Sequence, residues 1–389
     1  MDVSSPGYSS ADALRAGGRQ AVHDALVAAR ARTLVLADAY EHCLAGSGMR
    51  VPYRPTLNPP LWEWGHVAWF QEYWIARNRQ RSQGAGCDPD DERASSVISG
   101  ADALYDSGKV AHRSRWELDL PSAQATRDYL AATLDQSLEL LDRLPADASD
   151  EQLYFFRLTA LHEEMHAEAA TYMARDLAVP VPGERRAQQL DSRGGTLRVP
   201  AQRFDLGYAG PGFAFDNELG VHAVRLEAFE IDAQPVSWSR FMPFVQAGGY
   251  GHRNWWSDEG WAWLQAAKLA PPAGGPAGEA AIHLNAHEAE AWCRWSGRRL
   301  PTEAEWECAA VSVPGFGWGC VWEWTASPFL PFPGFRPHPY RDYSAPWFGS
   351  RRVLRGACDA TSSTLAHPRY RNFFEPHRRD VFAGFRSCA

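Results

Sequence analysis

The chain has 389 residues, 45% of them hydrophobic and 22% charged, the make-up of an ordinary globular protein with room for two domains. A net charge of -8 excludes a general attraction to nucleic acid or to an anionic membrane surface. Seven scattered cysteines with no C-x-x-C exclude a disulfide framework and a thiolate zinc site.

The opening stretch MDVSSPGYSSADALRAGG holds no apolar core of a signal peptide, and no later run is long enough to span a bilayer. A soluble, cytoplasmic protein is expected. From residue 11 to about 176 the pattern is mostly helical. ALRAGGRQAVHDALVAARARTLVLADAY repeats apolar residues at three- and four-residue steps. PPLWEWGHVAWFQEYWIARNRQ starts on a double proline, a helix-start signal. The segment from Cys87 to Trp116 is irregular and reads as a long surface connection. SAQATRDYLAATLDQSLELLDRL opens on a serine cap, and SDEQLYFFRLTALHEEMHAEAATYMARDL is the longest helix. Together these predict a four-helix bundle over residues 1–180.

Residues 181–196, rich in Pro, Gly and charge, read as a linker. Residues 197–389 form an α+β, loop-rich domain. Its strand-like runs are TLRVP, HAVRLEAFEID and RRVLRGA, and two short helices, NAHEAEAWCRWSG and TEAEWECAA, interrupt them. Tryptophan stands out at 17 residues; many belong to the core and some to a ligand cleft.

His162 and His166 stand four residues apart, which places both imidazoles on one helix face, where they can chelate one divalent metal. Met165 shares roughly that face. His66, amid Trp62, Trp69 and Phe70 on another helix, can complete a three-histidine site with positions open for substrate and oxygen. The spacing does not choose among iron, zinc and nickel. Without a metal, the same histidines read as hydrogen-bonded core residues. A zinc protease needs more than H-E-x-x-H: here AEAATYMARDL follows, with no third ligand at the usual places. Glu168 is too close to serve, and Glu163 and Glu164 read as carboxylates supporting the histidines or facing solvent.

Several stretches carry a family resemblance. HEEMHAE with the upstream GHVAWFQE resembles the DinB-like bundle of the ergothioneine-synthesising sulfoxide synthases. RRLPTEAEWECAA, VWEWTASPFLPFPGF, RVLRGA and RNFFEPHRRDVFAGFR resemble that family's second half, a formylglycine-generating-enzyme-like, C-type-lectin-like α+β domain. The resemblance runs nearly the whole chain, in order. It implies an iron(II), oxygen-dependent enzyme in which His66, His162 and His166 hold the metal. Its substrate would be hercynine, N-trimethyl-histidine, whose imidazole carbon is joined to a chalcogen donor. NPPLWEWGHVAWFQEYW looks most like the selenoneine synthase branch, whose donor is a selenosugar; the thiol branch uses γ-glutamylcysteine or cysteine. The chain departs from the family at Cys320, where Asn is usual, and at Ala357 and Cys358, where Gly-Ser is usual.

Tyr370, Asn372, Phe373 and Phe374 stand where the family contacts the quaternary ammonium, a cation suited to aromatic faces and carbonyl oxygens. Arg371 or Arg378 can meet a carboxylate bidentately. Tyr340 and Tyr343 are the candidate proton or electron relays, with packing the alternative for either. Trp322, Glu323 and Trp324 read as scaffold of the cleft wall. Cys320, Cys358 and Cys388 read as buried, inert thiols. Three rivals remain open: the same chemistry with a sulfur donor, a DinB-type metal-dependent thiol transferase, and a non-catalytic lectin-like module.

Overall fold

The computed structural model describes residues 8–182, 189–190 and 194–389. The expected linker at 181–196 lies partly outside the described residues. The first half is helical, as its periodicity predicts: α1 (Tyr8–Ala16), α2 (Arg19–Leu44), α3 (Pro60–Gln71), α4 (Ala101–Tyr105), α5 (Ala123–Asp142) and α6 (Asp150–Asp176). Gly17 separates α1 from α2; a Cβ there would lie 2.1 Å from the Ala13 carbonyl oxygen. Helix α3 begins with Pro60 in its first turn, where the missing N–H costs nothing. It is buried on every side except at Leu61, so its sequence shows apolar residues all round. The Ser149 hydroxyl and the Gln152 side chain form a reciprocal capping box at the start of α6.

The expected surface connection from Cys87 to Trp116 is a correction. It contains α4, and it buries Cys87, Ala101, Tyr105 and Val110. Its short apolar spacing hides this, because each residue packs against a distant helix rather than a neighbour on its own segment.

The second half is the expected α+β domain. It holds β1 (Thr196–Val199), β2 (Gln202–Leu206), β3 (His222–Leu226), β4 (Phe229–Asp232), α7 (Trp238–Gln246) and α8 (Asp258–Ala267). After these come α9 (Ala286–Trp295), α10 (Glu303–Ser312), β5 (Val321–Pro328), β6 (Arg352–Ala357), β7 (Asn372–Phe374) and β8 (Ala383–Phe385). Helices α7 and α8 are additional to the two expected, and HAVRLEAFEID divides into β3 and β4. Strands β1 with β4 and β2 with β3 make two-stranded sheets; the main sheet runs β7-β6-β5-β8, with β5 and β8 parallel. No helix among the described residues is long and apolar enough to cross a membrane.

The two halves share one hydrophobic core that runs from α2, α3 and α6 into α9, β5 and β8. Polar pins reinforce it. Arg15 of α1 makes two bonds to Glu218, at 2.8 and 3.1 Å, with both side chains buried. Such a pair is costly to break, because either partner left alone is a buried charge.

Candidate metal centre and adjoining cavities

His66 on α3 and His162 and His166 on α6 meet where these helices face one another. Nitrogens of all three rings lie within 4.8 Å of one another. Ring centroids are 5.1 Å apart for His66–His162, 4.9 Å for His66–His166 and 4.4 Å for His162–His166. Nδ1 of His66 lies 2.8 Å from the Tyr105 carbonyl oxygen, so that nitrogen carries the proton and Nε2 is left with its lone pair. Nδ1 of His166 lies 2.5 Å from Glu63 Oε2, which fixes its tautomer in the same sense. Buried Nε2 of His162 has no hydrogen-bond partner. Its ring is held flat against Phe70, centroids 3.6 Å apart.

Burial keeps His66 and His162 as neutral donors. Burial, then the neighbouring His166, pulls His66 down to about 3. Burial, His166 and His66 lower His162 well below the ordinary range. Burial opposes the charge on Glu63, but His166 and Asn58 outweigh it and hold the carboxyl at about 2. Three converging imidazoles, two of them backed by an acceptor on the far nitrogen, form a donor set that fits a divalent transition metal.

Glu163 and Glu164 are a further correction, since neither faces solvent. Glu163 is buried and bonded at both oxygens to Arg30 of α2, at 2.8 and 3.1 Å. Glu164 is buried against Arg32 at 2.6 Å. The carboxylate that a zinc protease uses as its base is thus spent in an ion pair.

Beside Met165 lies a cavity of about 190 Å3 between the domains, lined by Glu168, Tyr172, Trp322, Tyr343, Leu365, Tyr370, Asn372, Phe373 and Phe374. Four of the expected substrate contacts therefore come together here: Tyr370, Asn372, Phe373 and Phe374. Asn372 already accepts the Phe373 backbone N–H at 2.9 Å, and Phe373 stacks on Phe329 at 4.0 Å. Tyr343 and Tyr370 approach O to O at 3.0 Å, and the Tyr370 hydroxyl lies 3.3 Å from Met165 Sδ. Tyr340 sits apart from them, its ring 6.0 Å from His162 and 4.8 Å from Phe70. Burial raises both Tyr340 and Tyr343 above the usual phenol range.

Arg371 does not reach this cavity. It is buried, with two bonds to Glu303 at 2.9 and 3.0 Å and two more to the carbonyls of Asn217 and Leu330. Arg378 stands near the rim over Phe374 and Tyr172, its fork held by Asp380. Glu323 is buried against Arg386, and the Trp324 indole donates to the Leu284 carbonyl, so both serve as scaffold. Trp322 does line the cavity, and its indole donates to Glu168 at 2.6 Å. Burial raises Glu168 despite bonds from Thr361 and Trp322. No disulfide joins the cysteines; burial raises Cys358 well above its ordinary value and Cys388 to about 12.

Sequence reasoning missed Glu63, Tyr105 and Arg115. Glu63 is the one acidic residue within α3, one helical turn before His66, and that placement is its sequence signal. Tyr105 acts through its backbone and leaves no such signal. Arg115 stacks over Trp62 at 3.7 Å, and Trp62 stacks on His66 at 4.9 Å.

Residues 25–181 match the DinB superfamily, and residues 182–315 match the Sulfatase-modifying factor enzyme 1-like domain. Hercynine oxygenase of Mycolicibacterium smegmatis is 30% identical, over 95% of this chain and 98% of its own length. Hercynine oxygenase of Mycolicibacterium thermoresistibile is 32% identical over 93% of each chain. The chain belongs to the hercynine oxygenase family. It is accordingly an oxidoreductase, built from a DinB-type bundle and an α+β domain of the formylglycine-generating type. The hercynine oxygenase match spans both domains. Formylglycine-generating enzyme of Streptomyces coelicolor matches only 46% of the chain, at 27% identity.

Proposed function

We propose that the chain is an iron(II)- and oxygen-dependent enzyme that joins the imidazole carbon of hercynine to a chalcogen donor, giving a sulfoxide- or selenoxide-type product. His66, His162 and His166 would hold the iron, whose contribution is to bind and activate oxygen and to template the substrates. The carrying observation is the convergence of the three histidines beside an aromatic cavity shared by both domains.

The protein's own residues do the rest. Tyr105 and Glu63 fix the orientation of His66 and His166. Tyr370, Phe373 and Phe374 offer ring faces to a trimethylammonium group, which can donate no hydrogen bond. The Asn372 amide and Glu168 add the polar contacts, with Glu168 fixed by Trp322 and Thr361. Tyr340, its ring 6.0 Å from that of His162, would hold or pass a proton near the metal.

A thiol such as γ-glutamylcysteine is the donor that follows from the plain family reading. A selenosugar is the second reading, supported by the likeness of NPPLWEWGHVAWFQEYW to the selenoneine synthase branch. The two arginines expected to meet the carboxylate of hercynine are engaged within the protein, Arg371 by Glu303 and Arg378 by Asp380. The test is anaerobic purification with metal analysis, then oxygen uptake with hercynine and each donor in competition, products read by mass. No oxygen uptake with any donor would end the oxygenase reading.

A further inference from the structure

Arg15, Arg30, Arg371 and Arg386 each meet a carboxylate directly. Arg115 does not. It forms no ion pair among the described residues, and its buried Nε has no hydrogen-bond partner. It sits in a single 3-10 turn, His112–Trp116, packed on the segment that leads into α3. His112 Nε2 lies 2.7 Å from the Leu57 carbonyl oxygen, and the Trp116 indole donates to the Val51 carbonyl at 2.9 Å. Between these two anchors, Arg115 Nη1 donates to Asn58 Oδ1 at 2.8 Å. Asn58 Nδ2 donates in turn to Glu63 Oε1 at 2.5 Å, and Glu63 Oε2 faces His166 Nδ1 at 2.5 Å. The guanidinium also lies 3.7 Å over Trp62, whose ring is within 7° of parallel to His66. One cation thus stands behind two candidate ligands, one on α3 and one on α6.

The interposed amide matters. An arginine paired directly with a carboxylate can take both of its oxygens, as Arg30 does with Glu163. Asn58 carries the pull of the cation to Oε1 alone and leaves Oε2 to His166. Hydrogen bonds in such a chain polarise one another. A carboxylate behind a metal-binding imidazole raises the basicity of that ligand. A cation behind the carboxylate moderates the push.

We propose that Asn58 and Arg115 are positioning residues that set how strongly Glu63 draws the Nδ1 proton of His166, and thereby favour iron(II) over iron(III) at the centre. The proposal rests on the iron reading above and adds what tunes it. Without the cation, Glu63 pulls harder, His166 is the stronger donor, and the balance of the one-electron couple moves toward iron(III).

The test is a potentiometric titration of the iron-loaded full chain under argon, with redox mediators, followed by the ferric paramagnetic resonance signal. Arg115→Met removes the charge and keeps an apolar stem against Trp62. It is expected to move the balance about tenfold toward iron(III), a potential about 59 mV lower for a one-electron couple. Asn58→Ala keeps the arginine, breaks the chain and is expected to lower the potential as well. Glu63→Gln is expected to raise it. Ring orientation affects both oxidation states, so a purely structural role leaves the potential in place. A cation acting straight through space shifts the potential equally with or without Glu63, whereas the relay predicts little effect of Arg115→Met in the Glu63→Gln background. Wild-type potentials in both Arg115→Met and Asn58→Ala, in chains whose melting curves show folding, overturn the proposal. So does an undiminished Arg115→Met shift in the Glu63→Gln background. Wild type that takes up no iron(II) counts instead against the iron reading. The same cycle read as zinc(II) affinity, by competition with a chelator, then decides the relay: coupling between Arg115 and Glu63 supports it, and additive effects overturn it.

Discussion

The bundle and the second domain use buried polar groups in opposite ways. In the bundle, Glu63 and the Tyr105 carbonyl each hold one side of an imidazole and leave the other nitrogen pointing at a shared centre. In the second domain, Glu303, Glu307 and Glu323 meet Arg355, Arg371 and Arg386 and consume their charge internally. The first arrangement turns ring nitrogens toward one another around a common point; the second sets each carboxylate against a guanidinium group. A buried charged residue therefore signals a site only when its partners do not exhaust its bonding capacity.

The strongest way to break this contrast is at His162. Of the three converging histidines, His162 is the one with a buried Nε2 that lacks a hydrogen-bond partner, and His162→Ala removes it. We predict that metal retained after anaerobic purification falls to background, read by elemental analysis. Normal metal content in a folded variant would contradict the ligand assignment. Arg371→Ala tests the other side. It strips Glu303 of a buried, doubly bonded partner, and breaking such a pair costs roughly 3–5 kcal/mol. The prediction is a large loss of stability in denaturant melts, with hercynine affinity of the surviving folded fraction unchanged. A raised Kd for hercynine without loss of stability would return Arg371 to the substrate site.

Gly65→Ala sharpens the contrast inside the bundle. A Cβ at Gly65 would lie 2.1 Å from the Tyr105 ring, so Tyr105 must move, and its carbonyl orients His66. Losing such an outer contact typically costs about 10–100-fold in metal affinity. Competition with a chelator reads that loss directly; an affinity equal to wild type shows that the Tyr105 carbonyl does not matter.

These cases show why some of the molecule was legible in the sequence. Helix periodicity and the four-residue spacing of His162 and His166 are local facts, so the bundle and two candidate ligands could be read without a fold. His66 needed only its tryptophan neighbours. The fate of Arg371 depended on Glu303, 68 residues away, and that of Glu163 on Arg30, 133 residues away. Nothing in RNFFEPHRR distinguishes an arginine facing a ligand from one facing a glutamate. Helices α7 and α8 were missed because glycine, proline and tryptophan dominate their surroundings and mask their periodicity.

The smallest expected effect concerns the loop that carries Tyr340 and Tyr343. His338 precedes Tyr340 by two residues, and its Nδ1 lies 2.9 Å from the Tyr154 hydroxyl on α6. Burial lowers His338 from 6.5 to about 4. As pH falls through 6.5 the unfolded chain takes up this proton and the folded chain does not, so unfolding is favoured. The contribution is complete above pH 6.5 and is lost progressively as pH falls toward 4. His338→Gln removes this titration and leaves a polar group facing Tyr154. Melting temperature plotted against pH should therefore fall less steeply for His338→Gln than for wild type across that window. Parallel curves would mean that His338 takes up its proton without opening the loop, and that Asp216 and Ser344, bonded to each other at the loop's other end, hold it in place alone.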